Sequence, residues 1–408
     1  MRLSISQFRR WIFRMPWVAV LFLVGCDYKS RQSTFDPKGP IAQEQLDLFM
    51  VTVWVVCFLF VAVGSVLLYA VIRFREKKTD SPNFKPKQSH GNPVVEMGLI
   101  VVSILMLVII AIPTLQAIWF THDLPEDESN HLGQWYDGEI SEESEEEVLT
   151  VYVYGWQWWW SFEYPQLGIT TANEFAMPVG KVVNFELRSR DVIHSFWLPK
   201  LAGKVDTIPG RINSMWMQGD EVGHYYGQCA EFCGESHAYM LFRADVLSEE
   251  DFEAWVVEQK AGAASPDGGE DWSGFKESLA SYRKDPAIAE EWDDVFEGAA
   301  LFYSKGKCNT CHAVGGSGLA MGVLAPDLTH VADRVSLGAG WLDHRAEDEG
   351  EIDPELQLEN FYRWVRESEK IKPGNLMYEG TGGMTGLKDI ELTDDEVRKI
   401  AIYLQSLK

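Results

Sequence analysis

The chain is long enough for several folded units and carries a strong excess of acidic residues. It has 408 residues and a formal net charge of −25 at pH 7. Single cores stop growing beyond roughly 250 to 300 residues, so two or more units are expected. The charge argues against a nucleic-acid partner, because phosphate binding requires a surplus of Lys and Arg.

The first 25 residues are typical of an export signal. Arginines precede the apolar run MPWVAVLFLVGC, which ends at Cys26. This end resembles a bacterial lipoprotein cleavage box. Residues 1–25 are therefore predicted to be a signal peptide, with Cys26 as the lipidated first residue of a tether over residues 26–46. The alternative is an uncleaved anchor with a chance cysteine.

Two charge-free apolar stretches predict a transmembrane hairpin over residues 47–121. Leu48 to Ile72 and Met97 to Phe120 are each long enough to cross a hydrocarbon layer of ~30 Å as a helix. The connection between them is rich in Lys and Arg, which places it in the cytoplasm and the rest of the chain outside. Glu96 stands at the cytoplasmic start of the second span, where a solvated helix-start acid is the ordinary interpretation.

An acidic insertion and a series of strand patterns follow. Residues 122–147 contain no Lys or Arg and many acids, which indicates a solvated loop or a surface that steers a basic electron donor. In residues 148–247, segments such as LTVYVYGWQWWWSFEYP and KVVNFELRS alternate with period 2 and are rich in Val, Tyr, Phe and Trp. Turn signals recur between them, so this region is predicted to be an all-β sandwich.

Residues 248–290 are predicted to be a helix followed by a linker. SEEDFEAWVVEQK is amphipathic and begins with the capping pair Ser248 and Asp251, and an Ala/Gly/Ser/Pro/Asp-rich stretch comes after it. The last unit, residues 291–408, is helical at both ends. Thr393 and Glu396 have capping-box spacing at the start of its final helix.

The motif CNTCH in the last unit is the attachment signature of a c-type haem. Cys308 and Cys311 would form thioethers to the porphyrin, and His312 would ligate the iron. A redox-active cysteine pair and half of a zinc site are the alternatives. The exported context and the helix that leads into the motif favour haem.

The sixth iron ligand is expected to be a soft, neutral methionine. Three methionines follow the haem motif: Met321, Met377 and Met384. Met321 comes very soon after the motif and is disfavoured. We predict Met377, because Pro373 and Gly374 would form a turn that directs it inward.

The segment GQCAEFCGESHAYM raises three interpretations. Cys229 and Cys233 could form a disulfide in an oxidising compartment. They could bind zinc together with His237 and the distant His194. Copper would also use Met240, because thiolate, imidazole and thioether are ligands that it prefers.

Several motifs together resemble subunit 2 of the haem-copper cytochrome c oxidases. DVIHSFWLP, KVDTIPGR and YYGQCAEFCGESHAYM occur in the order found in that subunit, and HGNPVVE resembles the start of its second helix. This resemblance spans residues 48–246. Together with the haem motif, the chain resembles the caa-type oxidases, in which a cytochrome c is fused to this subunit.

The resemblance implies a multidomain membrane protein with a two-helix transmembrane hairpin, an all-β cupredoxin-like sandwich and an all-α class I cytochrome c domain. It assigns roles to residues at matching positions. A dinuclear copper centre (CuA) would be held by His194, Cys229, the carbonyl of Glu231, Cys233, His237 and Met240. The other implied roles are magnesium binding by the Glu231 side chain, electron input to copper through Trp158, proton uptake at Glu96, and orientation of the haem histidine by the Pro326 carbonyl.

The function implied by the resemblance is electron input to a terminal oxidase. A donor, either a cytochrome c or a quinol-oxidising complex, would reduce haem c, and electrons would pass through copper to subunit 1, where oxygen is reduced to water with proton pumping. The chain would lie in the bacterial inner membrane with both redox domains on the periplasmic side. Its partners would be the other oxidase subunits and membrane lipid.

Two other functions remain open at the level of the sequence. One is a copper-containing nitric oxide reductase subunit, and the other is a stand-alone membrane-tethered copper and haem carrier. Three stretches also depart from the family pattern: the second span reads EMGLIVVS without the family's tryptophan after the acid, an extra aromatic occurs at Trp156, and residues 334–359 are long and acidic for a small cytochrome.

Overall fold

The computed structural model describes residues 29–75, 90–320, 322–346, 350–381 and 383–408. The predicted signal peptide, Cys26, most of the basic connection between the spans, and Met321 lie outside the described residues. Within them, two long apolar helices, a β-sandwich and a helical C-terminal domain follow one another, and this order confirms the predicted fold class.

The two apolar helices are α1 (Pro40–Arg73) and α2 (Pro93–His122). Both are long and apolar enough to cross a membrane, and their most hydrophobic stretches are not buried inside the protein. Each begins with a proline in its first turn, where the missing N–H is not needed. At α2 the side chain of Asn92 also accepts a hydrogen bond from Val94 N.

The start of α1 and the end of α2 are each attached to the sandwich. At the start of α1, Ala42 N donates to Leu201 O at 3.3 Å. At the end of α2, Trp216 Nε1 donates to Phe120 O at 3.2 Å, and the two rings meet edge to face with centroids 5.5 Å apart.

The acidic insertion is anchored by apolar side chains. Leu132, Trp135 and Tyr136 are buried in the core of the sandwich, while most of the acidic residues around them remain exposed. The segment therefore packs on the domain and is more than a solvated loop. It contains α3 (Glu142–Glu145) and two 3₁₀ turns, Glu128–Asn130 and Leu132–Gln134.

The predicted all-β sandwich is present and consists of ten strands. They are β1 (Thr150–Trp156), β2 (Trp159–Tyr164), β3 (Ile169–Ala172), β4 (Glu174–Pro178), β5 (Val183–Ser189), β6 (His194–Trp197), β7 (Lys204–Thr207), β8 (Asn213–Met217), β9 (Gly223–Cys229) and β10 (Leu241–Leu247). One sheet has the order β3-β2-β1-β5-β8 and the other β4-β10-β9-β6-β7, with parallel pairing of β1 with β5 and of β4 with β10.

Aromatic residues fill the space between the two sheets. Phe196 and Phe242 stack with ring centroids 4.4 Å apart, and Trp160 meets both rings edge to face. Buried aromatic pairs add directional attraction of roughly 0.5 to 1.5 kcal/mol to the hydrophobic effect. Helix α4 (Glu249–Lys260) covers one edge of this core, with Phe252 fully buried.

The C-terminal domain is built from helices with one small β-hairpin. Its elements are α5 (Ser273–Tyr282), α6 (Asp294–Tyr303), β11 (Ser336–Leu337), β12 (Leu342–Asp343), α7 (Pro354–Ile371), α8 (Leu376–Glu379) and α9 (Asp394–Gln405), with 3₁₀ turns at Pro286–Glu291, Cys308–Thr310 and Leu387–Asp389. The predicted capping box of Thr393 and Glu396 is formed at α9. Helices α6 and α9 approach so closely that a Cβ at Gly298 would lie 2.0 Å from Lys399 O.

The predicted linker is partly wrong, because its second half belongs to the C-terminal core. Trp272, Phe275 and Leu279 are buried there, and Trp272 Nε1 donates to Ala263 O at 3.1 Å. A boundary between residues 290 and 291 would cut through this core. The Gly, Ser, Pro and Asp content of the stretch conceals apolar residues at helical spacing.

Candidate metal and haem sites

Residues far apart in sequence meet at one end of the sandwich. His194 begins β6, Cys229 ends β9, and Cys233 lies in the following loop; their ligand atoms all lie within 4.8 Å of one another. Antiparallel pairing of β6 with β9 next to this end brings His194 to the cysteine loop. The sulfur of Cys233 lies 3.8 Å from that of Met240 and 3.5 Å from His237 Nδ1.

A carboxylate holds the ring of His194. Its Nε2 lies 2.7 Å from Asp191 Oδ1, and within the described residues its buried Nδ1 makes no hydrogen bond. Burial disfavours the charged ring, but the interactions with Asp191 and Cys229 together outweigh burial and raise the pKa of His194. With Nε2 engaged, Nδ1 is the nitrogen left to coordinate a metal. Sequence reasoning missed Asp191, although its position three residues before the histidine was a usable signal.

The two cysteines are free thiols with sulfurs 3.8 Å apart. A disulfide requires about 2.05 Å, so the structure does not join them. The hydrogen bond between them lowers the pKa of Cys229 and raises that of Cys233. Cys229 Sγ also lies 3.2 Å from Glu231 O, while the Glu231 side chain is exposed. Two sulfurs, two imidazoles, a thioether and a carbonyl are a donor set that fits two copper ions.

Trp158 connects this cluster with the C-terminal domain. Its Nε1 donates to Cys233 O at 3.0 Å, and Gln157 Nε2 donates to the same oxygen at 2.7 Å. The Trp158 side chain also lines a cavity that contains the haem-attachment motif. The tryptophan is 9% exposed and belongs to the buried core of the sandwich.

That cavity has a volume of about 1230 Å³, including the solvent space at its mouth. Cys308, Cys311 and His312 line it together with predominantly apolar surface. His312 Nδ1 lies 2.7 Å from Pro326 O, which leaves Nε2 to face a metal. Burial lowers the pKa of His312, so the ring is neutral at pH 7, as a metal ligand must be. These features fit a haem.

Both remaining methionine candidates line the same cavity. Met377 lies on α8, which Asn375 caps by accepting a hydrogen bond from Tyr378 N. Met384 lies on the following loop, with its sulfur 3.6 Å from Cys311 Sγ.

Glu96 is remote from both sites. It lies exposed in the first turn of α2, at the opposite end of this helix from Phe120 and the sandwich. The intervening 24 residues of helix correspond to about 36 Å.

Three family profiles match successive parts of the chain. They are the cytochrome c oxidase subunit II transmembrane domain over residues 29–117, its periplasmic domain over residues 166–246, and cytochrome c over residues 295–408. Together with α1 and α2, these matches identify a membrane protein with a periplasmic-type domain and a cytochrome c domain.

Relatives cover almost the whole chain. Cytochrome c oxidase subunit 2 of Alkalihalophilus pseudofirmus is 32% identical over 95% of this chain and 94% of its own length, and that of Bacillus subtilis is 30% identical over 95% of each. Among solved structures, the periplasmic domain of cytochrome oxidase subunit II of Bradyrhizobium japonicum is 36% identical, covers 28% of this chain and 93% of its own, and has a TM-score of 0.27. The chain therefore belongs to the cytochrome c oxidase subunit 2 family, as a member that carries a C-terminal cytochrome c domain.

Proposed function

We propose that this chain is the electron-input subunit of a terminal haem-copper oxidase in the bacterial inner membrane. Electrons from a donor pass through a covalent c-type haem to a dinuclear copper centre and on to subunit 1, where oxygen is reduced to water with proton pumping. The single observation that best supports this route is the position of Trp158, which is hydrogen-bonded to the cysteine loop and lines the candidate haem cavity.

Hydrogen bonds orient the residues of the candidate copper site. Asp191 orients His194, and the carbonyl of Cys233 accepts from both Gln157 and Trp158. When bound, two copper ions held by these residues would supply a one-electron centre. The buried surroundings of the sulfurs restrict the movement of these ligands, which suits electron transfer rather than bond making.

In the C-terminal domain, Cys308 and Cys311 would carry the haem, and His312 and Met377 would ligate its iron. The Pro326 carbonyl holds His312 in the orientation that leaves Nε2 available. A methionine opposite histidine raises the potential of a haem relative to a second histidine, which favours electron acceptance from an external donor.

Three residues outside the two redox sites also have proposed roles. The exposed carboxylate of Glu231 is available for a magnesium ion shared with subunit 1. Glu96, at the far end of α2, has the position expected for proton uptake on the cytoplasmic side. Cys26 is proposed as the lipidated N-terminus.

Metal analysis and electron paramagnetic resonance of the full chain in detergent test this function. We expect two coppers that share one unpaired electron, and one haem iron, per chain. A mononuclear copper signal or stoichiometric zinc would contradict the copper assignment. Purification with a haem-copper subunit and cyanide-sensitive oxygen uptake is expected, whereas isolation of the native protein alone would favour a stand-alone carrier.

A further inference from the structure

A lysine of the C-terminal domain is buried against the candidate copper site. Lys372, which follows α7, is 4% exposed. Its ammonium donates hydrogen bonds to three carbonyl oxygens: those of Trp158, of Tyr239 at 3.0 Å and of Gly338 at 3.3 Å. In the ammonium form all three N–H protons have an acceptor, and Trp158 and Tyr239 belong to the sandwich domain.

Two of these acceptors belong to residues that lie next to the candidate copper ligands. Trp158 is bonded to Cys233, and Tyr239 directly precedes the candidate ligand Met240. None of the three acceptors is a carboxylate, and burying an ammonium group is costly unless its hydrogen bonds are satisfied. An apolar side chain would fill this space without the cost of burying an ammonium group. We therefore interpret Lys372 as a residue that connects three backbone segments through its hydrogen bonds.

The next two residues fit the same surface. Ser236 Oγ donates to Pro373 O across the domain boundary. Gly374 has φ +72°, and a Cβ there would lie 2.8 Å from Glu235 Oε2 and 3.3 Å from the Trp158 ring. Residues 372–374 are thus closely fitted to the cysteine loop, and the cavity-lining residue Met377 follows within one turn.

A separate set of contacts also joins the two domains. Glu174 accepts from Val335 N at 3.0 Å and from Ser336 Oγ, and Arg243 Nη2 donates to Gly340 O at 2.6 Å. Lys372 also bonds to Gly338 O within residues 335–340, but the contacts of Glu174 and Arg243 attach this segment to the sandwich without Lys372. Loss of Lys372 would therefore disturb the contact at Trp158 without separating the domains.

We propose that Lys372 is a positioning residue for internal electron transfer. It holds residues 372–377 of the haem domain against the contact between Trp158 and Cys233. This inference rests on the proposed function. The transfer concerned moves one electron: the haem iron is oxidised from ferrous to ferric as the copper pair is reduced by one electron, and no proton or covalent bond is exchanged.

The test compares Lys372→Met with Lys370→Met in the full chain in detergent. Methionine approximates the length of lysine without its donors, and Lys370 is a matched control because its side chain is 76% exposed. A photosensitiser excited by a light pulse, with a sacrificial electron donor in solution, reduces the haem by one electron, and copper reduction is followed optically. Amide hydrogen exchange at Leu241, whose N–H bonds to Ala339 O, reports whether the domains stay attached.

For Lys372→Met we expect normal copper and haem spectra, retained protection at Leu241, and internal transfer slowed several-fold, because the rate of electron transfer falls steeply as the distance between donor and acceptor increases. The rate in Lys370→Met is expected to equal that of the parent. A parental rate in Lys372→Met would overturn the positioning role. Absence of haem-to-copper transfer in the parent chain would instead contradict the proposed function.

If Lys372→Met does not accumulate, Lys372→Gln provides the second measurement. Its amide retains two N–H donors on a shorter stem, so an intermediate slowing is expected. A parental rate in this variant, with the copper spectrum unchanged, would equally overturn the positioning role.

Discussion

The indole nitrogen of Trp158 donates to the carbonyl oxygen of Cys233 at 3.0 Å, while the Trp158 side chain lines the candidate haem cavity. Replacing Trp158 with Phe retains an aromatic ring and removes this donor. The Cys233 carbonyl keeps the donor from Gln157, so we expect a stability loss of about 1 kcal/mol and full copper content. Reduction of copper is expected to slow. Denaturant unfolding and optical kinetics measure these effects.

Trp255→Phe serves as the control for that experiment, because Trp255 packs on Phe252 and Tyr164 at the other edge of the sandwich. We expect it to affect stability alone. Equal slowing of copper reduction in both variants would contradict a specific role for Trp158.

Met240 offers a test of the copper donor set. Its side chain is fully buried, with sulfur 3.8 Å from that of Cys233. Met240→Leu conserves most of the volume and is expected to cost less than about 1.5 kcal/mol, while shifting the copper spectrum and potential. Cys233→Ser should abolish the binuclear spectrum. An unchanged spectrum and potential in Met240→Leu would remove this residue from the ligand set.

The two methionines of the haem cavity can be separated by a paired substitution. Met377→Leu is expected to eliminate the methionine-ligated haem spectrum and lower the potential, because a thioether ligand stabilises the reduced iron. Met384→Leu is expected to leave both unchanged, although its sulfur lies near Cys311. Absorbance spectra and redox titration of the full chain measure the outcome, and the reverse pattern would assign the ligand to Met384.

His344 predicts a loss of stability in mild acid. It is fully buried, its Nδ1 is hydrogen-bonded to Asn360 Nδ2, and burial lowers its pKa to about 4. The unfolded chain, with an ordinary pKa of 6.5, binds this proton more readily. Stability therefore falls as the pH decreases from about 6.5 to about 4, and the loss between pH 7 and pH 5 is about 2 kcal/mol.

Unfolding of the C-terminal domain, followed by haem absorbance at pH 7 and pH 5, checks this expectation. His344→Gln has no titrating ring and should lose about 2 kcal/mol less between the two pH values. Other acidic groups titrate equally in both proteins, so the comparison isolates His344. Identical pH dependence in both proteins would argue against a buried neutral histidine.

Local sequence patterns were sufficient to predict most helices and strands. They did not predict the contacts between residues that are distant in sequence. The spans and strands follow from hydrophobic periodicity, and the thiol and imidazole residues follow from two short motifs. Lys372 acts through contacts with residues that are distant in sequence and that only the fold brings close, so periodicity carries no trace of it. Asp191 is three residues before His194, a local spacing that could have indicated the contact. The linker prediction failed because turn-forming composition outweighed three spaced aromatic and aliphatic residues.

The structure also explains two unusual stretches. Trp156 stacks on Trp159 with centroids 5.3 Å apart, and Trp159 lines the haem cavity, so the extra aromatic supports a cavity wall. The stretch from residue 334 to 359 contains the segment that binds Glu174 and Arg243. The additional residues therefore form contacts between the two domains. A small cytochrome without a neighbouring domain would have no such contacts.

The attachment of the sandwich to both ends of the helix pair determines how high the metal-binding loops stand above the lipid. Helix α2 has 30 residues, or about 45 Å, which exceeds the ~30 Å hydrocarbon layer by about 15 Å. Because Trp216 Nε1 donates to the carbonyl of Phe120 and the carbonyl of Leu201 accepts from Ala42 N in the first turn of α1, the domain is attached to both helices and has no single pivot. The sandwich is attached to two membrane helices at once. Its distance from the bilayer is therefore set by the length of these helices rather than by a flexible tether.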